Sequence, residues 1–248
     1  MLLEKISQNE LEFYPYECSI CHDTGIIVTS EDGYEMIEKC KCRIKKEMQQ
    51  RTDNSGLTDL IKTKTFDSFK TVKPFQKMVK DLALEYVDQF ISGNKRSFAF
   101  LGQSGIGKSH LLTAISGKLL EQDINVKYYT ADDILQKLHA CKYDEDNYNL
   151  EFRKIANCGL LFVDDLFKSS VTNYYKQESI KQEDLREMFK LINYRYNKKL
   201  PMLINSEIHF ERFIEIDQAI IGRINEMCEY KYLISVKPDS EKNYRLFK

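Results

Sequence analysis

The chain has 248 residues, a formal net charge of -1, 42% hydrophobic and 30% charged residues, the proportions of a folded globular protein and not of a disordered one. No stretch approaches about 18 consecutive apolar residues, and the N-terminal MLLEKISQNELEF carries acidic residues where a signal peptide needs an apolar core, so a cytoplasmic protein without membrane contact is expected. The near-zero charge excludes a global pull toward nucleic acid and leaves only local patches, and the 7 cysteines in a reducing compartment point to metal or burial, not disulfides.

Residues 14–42 read YPYECSICHDTGIIVTSEDGYEMIEKCKC. Cys18 and Cys21 form a C-x2-C knuckle, and Cys40 and Cys42 a C-x-C pair. Between them, the β-like runs 26–29 and 34–37 flank Ser30-Glu31-Asp32-Gly33, whose Asp-Gly predicts a hairpin. A hairpin brings its two ends together, as four distant thiolates must be to share one tetrahedral Zn²⁺. The segment has almost no apolar core, so a structural metal accounts for its folding better than four free thiols do. His22 is an alternative donor, although the neighbour of a ligand usually points away. Four ligands close such a site and leave no open position for catalysis. Cys141, Cys158 and Cys228 read as plain thiols.

Residues 39–51, KCKCRIKKEMQQR, carry a basic excess and read as a solvated helix face, with contact to a polyanion as the other reading. Residues 52–64 contain Asp53-Asn54-Ser55-Gly56 and few apolar side chains. The expected organisation is therefore a zinc module over 1–50, a linker over 51–64 and a larger domain over 65–248. Met78, Leu82, Tyr86 and Phe90 recur at helical spacing across 75–91, and Ser92-Gly93-Asn94 stops that helix. Phe66 and Phe69 read as core, or one of the rings as a neighbour of a nucleotide base.

The decisive stretch runs over 97–120, SFAFLGQSGIGKSHLLTAISGKLL. Ser97-Phe98-Ala99-Phe100-Leu101 reads as a buried strand. Gly102, Gln103, Ser104, Gly105, Ile106, Gly107, Lys108 and Ser109 fit G-x4-G-K-[ST], and an amphipathic helix follows from His110 with Leu111, Leu112, Ile115, Leu119 and Leu120 on its apolar side. Strand, glycine loop and helix in that order are the context of a phosphate-binding P-loop. The loop lets consecutive N–H groups face a phosphate, and the helix N-terminus adds partial positive charge. Lys108 reaches the β/γ oxygens of ATP in such a site, and Ser109 offers its hydroxyl to Mg²⁺.

A strand over 124–129 and a helix from Ala131 come next, then an acidic, polar stretch, CKYDEDNYN over 141–149, that reads as an exposed loop. Leu160-Leu161-Phe162-Val163 ending in Asp164-Asp165 describes a buried parallel strand delivering carboxylates to the sheet's C-terminal edge. In a P-loop protein Asp164 then holds Mg²⁺ through water, and Asp165 polarises the attacking water. LFKSSVTNYYKQESIK over 166–181 interleaves lysines with Tyr174 and Tyr175, and reads as a flexible surface loop or as a contact for single-stranded DNA. A helix over 183–197, a Pro201-led buried strand over 201–206, helical stretches over 209–216 and 219–226, and a last strand over 232–236 complete the chain.

Taken together, the P-loop, the Asp-Asp strand, the I-N-x-R-Y helix, the Pro-led strand, the G-R-I-x-E-M-C helix and the terminal Tyr244-Arg245 resemble the DnaC/DnaI-type helicase loaders, which stand with the IstB-like ATPases of the AAA+ superfamily. The four-cysteine segment resembles the zinc module of such loaders, and the likeness covers about Tyr14 to Arg245. It implies an α/β AAA+ sheet flanked by helices, without a helical lid domain. It implies an ATPase that loads a replicative helicase onto single-stranded DNA, forms a homo-oligomer when ATP-bound, and turns over slowly without its partner. By the same likeness Asp165 stands where many AAA+ proteins carry Glu. Asn205 is the sensor candidate, because the strand ends Asn205-Ser206-Glu207 in place of Thr/Ser-Ser-Asn. Arg223 is the arginine projected into a neighbour's nucleotide site, with a salt bridge inside its own subunit as the alternative, and Arg245 is a nucleotide-sensing arginine. An IstB-like transposition helper is the nearest alternative. A small-molecule kinase lacks an acceptor lid here, and a non-hydrolysing adapter is opposed by the intact Lys108, Ser109 and Asp164.

Overall fold

The computed structural model describes residues 16–31, 34–174, 177–239 and 242–244. The chain divides into two units, Met1–Gln50 and Arg51–Lys248. In the first, β1 (Ile26–Glu31) pairs antiparallel with β2 (Tyr34–Lys39), Ile26 opposite Lys39 and Val28 opposite Ile37. Asp32 and Gly33 of the expected turn lie outside the described residues. Helix α1 (Lys41–Ser55) follows, and the division between the units falls within it. Every residue of β2 is exposed, and the buried positions over 16–50 are Cys21, Gly25 and Cys40 among the described residues. The first unit has a sulfur centre where other small folds have an apolar core.

The expected linker over 51–64 is corrected: it is helical and packed. It holds the end of α1 and the short α2 (Leu60–Thr63), with Thr52, Ser55 and Leu57 buried. Leu57 joins the main core, and Leu60 and Ile61 pack against it. In α3 (Pro74–Ile91) the buried stripe is Val79, Ala83, Tyr86, Val87 and Phe90, while Met78 is exposed.

Five parallel strands form the main sheet: β3 (Phe98–Gly102), β4 (Val126–Thr130), β5 (Leu160–Asp164), β8 (Met202–Ser206) and β9 (Leu233–Val236), in the order β4-β5-β8-β3-β9. The central three are buried at every residue, as continuous apolar runs covered on both faces must be. The connecting helices are α4 (Lys108–Glu121), α5 (Ala131–Ala140), α6 (Glu145–Ala156), α7 (Gln182–Asn197), α8 (Phe210–Ile216) and α9 (Gln218–Met227). The fold is the α/β, AAA+-type P-loop architecture.

Two more expectations are corrected. The stretch over 141–149 enters α6, with Asp144 accepting from the Asn147 N–H as the cap, Glu145 and Asp146 in the first turn, and Arg153 and Lys154 in the last. The stretch over 166–181 contains an antiparallel hairpin, β6 (Val171–Tyr174) with β7 (Gln177–Ile180); Tyr175 and Lys176 lie outside the described residues.

Candidate nucleotide site and four-cysteine centre

The loop between β3 and α4 is shaped by tertiary contacts as much as by its glycines. Gly102, at φ +121°, has no room for a side chain: a Cβ would stand 2.1 Å from the carbonyl oxygen of Val236. Gly107, at φ +90°, caps α4 without a side chain, and a Cβ there would meet the Phe69 ring at 2.8 Å. The first-turn N–H groups of α4 thus form an anion cradle. Lys108 Nζ donates to the carbonyl oxygens of Gly102 at 2.7 Å and Gln103 at 2.8 Å. Burial lowers its ammonium to about 8, against the pull of the Glu207 and Asp165 carboxylates. A desolvated cation of this kind gains most from an anion brought beside it.

Sheet register delivers the acids. Val163 lies opposite Ile204, so Asp164 and Asn205 emerge side by side at the C-terminal edge. Asp164 Oδ1 accepts from Ser109 Oγ at 3.0 Å and Oδ2 from Tyr128 Oη at 3.1 Å. The Asn205 amide, fully buried, donates to Asp164 Oδ1 and to Ser109 Oγ (2.8 Å), and accepts from the Asp165 N–H at 3.0 Å. Burial pushes the Asp164 carboxyl up and the adjacent Asp165 adds to this, while Ser109 and Tyr128 pull it down. A hydroxyl and a carboxylate held together beside a phosphate cradle fit the hard oxygen donors that Mg²⁺ takes.

Of these groups Asp164 and Asn205 are buried behind Ser109, while Ser109 and Asp165, together with Lys108, line a cleft of about 390 Å³. Its walls include residues for which the motif gives no signal: Lys64, Ser68, Phe69, Lys70, Lys168, Glu207 and Tyr244. His110 contacts the Thr65 carbonyl at 2.9 Å and the edge of the Phe69 ring. Tyr244 packs on Phe69, donates its N–H to Gly105 O at 2.8 Å and its hydroxyl to Lys70 O at 2.6 Å. Gln103 spends its side chain on the backbone of Asp239, accepting from the N–H at 2.6 Å, and Ile106 is buried in the core, so both face a ligand only through the main chain. Phe66 is core. Arg223 stands away from its own chain's cleft, on α9. Its Nε donates to Asn193 Oδ1 at 2.9 Å and its Nη1 to Ala219 O at 2.8 Å, and the guanidinium lies over Phe189. Among the described residues these contacts of Arg223 are hydrogen bonds and ring contacts, with no salt bridge. Arg245 lies outside the described residues.

In the first unit, the four Sγ atoms of Cys18, Cys21, Cys40 and Cys42 lie within 4.8 Å of one another, with Cys18 to Cys40 at 3.7 Å and Cys21 to Cys42 at 3.3 Å. A tetrahedral Zn–S₄ site separates its sulfurs by about 3.8 Å. The Gly25 N–H points at Cys21 Sγ (3.3 Å), the donor a metal-bound thiolate accepts. The Cys21 contact pushes the Cys42 thiol up. His22 stacks on Tyr16 and is not in the cluster. The donor set, spacing and burial fit Zn²⁺. Cys141, Cys158 and Cys228 are buried thiols elsewhere.

Residues 30–244 match the family of IstB-like ATP binding proteins. Protein XkdC of the phage-like element PBSX from Bacillus subtilis (strain 168) is 30% identical over 239 residues, 93% of this chain and 86% of that protein. The replicative helicase loader DnaC of Escherichia coli (strain K12) is 28% identical over 130 residues, which span 52% of this chain and 53% of DnaC. A crystal structure of the DnaC helicase loader superposes with a TM-score of 0.56 at 19% identity, over 68% of this chain and 96% of that one. With its P-loop, acid edge and sheet order inside the matched region, the chain belongs to the IstB-like ATP-binding proteins.

Proposed function

We propose that this chain is an ATP-dependent loader of a replicative DNA helicase onto single-stranded DNA at replication initiation. One observation carries the reading: the convergence of Ser109, Asp164 and Asn205 at the P-loop occurs in the same chain as a four-cysteine unit. Similarity to a replicative helicase loader supports it. In this reading the zinc module over 1–50 grips the helicase, and the domain over 65–248 hydrolyses ATP and contacts DNA. Lys108 neutralises the β/γ oxygens, and Ser109 and Asp164 hold Mg²⁺, with Asp164 acting through water. Bound Mg²⁺ supplies shielding of the charge that develops on the transferred phosphate. Asp165 orients water, and Asn205 couples both acids to Ser109. Arg223 completes a neighbouring protomer's site in a homo-oligomer formed with ATP, and Arg245 senses nucleotide. In this reading the protein acts in the cytoplasm, where a replicative helicase works. No helix among the described residues is long and apolar enough to cross a membrane.

The second reading, a transposition helper, is favoured by the IstB-like family match. A loading assay separates the two. The chain, the cognate replicative helicase and protein-coated single-stranded DNA are combined with ATP, ADP or no nucleotide. ATP-dependent deposition of the helicase is expected. Absence of any association with the helicase in all three conditions overturns the loader reading.

A further inference from the structure

The turn after β5 adopts an unfavourable backbone. Asp165 has φ +56° and Phe167 φ +64°, both in the left-handed region that side chains other than glycine rarely enter. The surrounding structure forces this conformation. The Leu166 N–H donates to Asn205 O at 2.9 Å, Ser206 Oγ donates to Leu166 O at 2.7 Å, and the Asp165 N–H is held by the Asn205 side chain. The Phe167 ring is fully buried against Phe213, and the Lys168 N–H closes the turn on Asp165 O at 3.0 Å. Strain that a fold over-determines in this way is characteristic of functional positions.

What the turn delivers to the cleft is Lys168. Its Nζ lies 2.9 Å from Asp165 Oδ2 and 3.4 Å from Glu207 Oε1, and all three residues line the cleft that the P-loop opens on. Lys108 reaches the same cleft from the P-loop side, whereas Lys168 arrives from the β5–β8 edge, next to the acids. Its side chain is 47% exposed, so the ion pair is in solvent reach and costs little to open. An ammonium on a flexible stem can exchange two monodentate carboxylates for a phosphate oxygen of higher charge density.

We propose that Lys168 reads the terminal phosphate of the nucleotide in cis: a triphosphate draws its ammonium away from Asp165 and Glu207, while a diphosphate leaves that ion pair closed. The residue then distinguishes ATP from ADP and also releases the Asp165 carboxylate only when there is a phosphate to cleave. This rests on the nucleotide reading of the cleft. Charge repulsion from Lys168 on Lys108 fits two cations sharing one anionic ligand.

The test is calorimetric titration of the full-length protein with Mg-ATP and with Mg-ADP, for wild type, Lys168→Gln, Lys168→Arg and Glu207→Gln. A lost hydrogen bond to a charged group predicts about tenfold weaker ATP binding by Lys168→Gln, with ADP affinity changed less than about twofold. Lys168→Arg keeps most of the discrimination, and Glu207→Gln, which removes one of the two carboxylates that hold the ammonium, tightens ATP severalfold. Equal loss for ATP and ADP, or an ATP-to-ADP ratio unchanged in Lys168→Gln, overturns the inference while the nucleotide reading stands. A wild-type protein that binds neither nucleotide refutes that reading, and this inference with it. Melting curves of the variants confirm that the fold is kept.

Discussion

Replacing Asn205 with alanine tests whether one buried amide holds the acid edge together. The side chain is fully buried and makes three hydrogen bonds, to the Asp165 N–H, Ser109 Oγ and Asp164 Oδ1. On truncation Ser109 still donates to Asp164, and Asp164 still accepts from Tyr128. Of the three partners, the Asp165 N–H is the one left without a substitute. An orphaned buried donor costs about 1–3 kcal/mol and a lost bond to a carboxylate adds about 1 kcal/mol, giving about 2–4 kcal/mol in all. For a unit of this size that is a fall in Tm of about 5–15 °C. Turnover should fall about 10²-fold, because both acids lose their common support and small misplacements are costly. Asn205→Asp sharpens the test: it keeps the acceptor for Asp165 but sets a second carboxylate against Asp164, so its melting temperature should rise on adding Mg²⁺ by more than that of wild type. Thermal melts with and without Mg²⁺, alongside a steady-state ATPase assay, read both effects. An Asn205→Ala protein melting within about 2 °C of wild type would refute the claim that this amide organises the edge.

Three further outcomes follow from the same structure. Elemental analysis should find one Zn²⁺ per chain; Cys40→Ser or strong chelation should make residues 16–50 protease-sensitive while Mg-ATP binding by the second unit persists, and a metal-free protein with four freely titratable thiols would sink the assignment. Arg195 is fully buried, and its guanidinium donates to the carbonyl oxygens of Ala156 (2.6 Å), Cys158 (3.2 Å) and Pro201 (2.6 Å); Arg195→Leu should cost about 3–5 kcal/mol in denaturant unfolding, and Lys should not rescue it, because only the planar fork reaches all three. Mixing Arg223→Ala with Lys108→Ala should restore ATPase activity, since one protein keeps the P-loop and the other the arginine; co-assembly without recovered activity rules out action across protomers.

The parts legible in the sequence were those specified locally. β3, β5 and β8 are unbroken apolar runs because both sheet faces are covered, and the P-loop pattern states its own backbone requirement. The start of helix α6 reads as a loop because its first half is acidic and polar; only Ile155 and Ala156 are fully buried, and its signals are the Asp144 cap and the charge order from Glu145 to Lys154. The packing of residues 51–64 was missed because three apolar side chains, Leu57, Leu60 and Ile61, suffice to dock a short helix. Asn205 could be picked out by its place at a strand end, but its three partners come from α4, β5 and the turn beyond, which no spacing connects. Lys168 and Glu207 are about forty positions apart in the chain and meet only because β5 and β8 are neighbours in the sheet.

The same argument explains why the P-loop needs the rest of the domain. A glycine-rich loop loses more conformational freedom on ordering than any other sequence. If the nucleotide had to impose that order, affinity would fall by the corresponding amount. Here folding imposes it from three directions. The backbone of Val236 presses on Gly102, the Asp239 N–H pairs with Gln103, and the Tyr244 N–H holds Gly105 O. Phe69 and Thr65 fix the far side through Gly107 and His110. Asn205 fixes Ser109 from the sheet. The cradle is therefore a property of the tertiary structure, and the glycine pattern contributes only permission to adopt it.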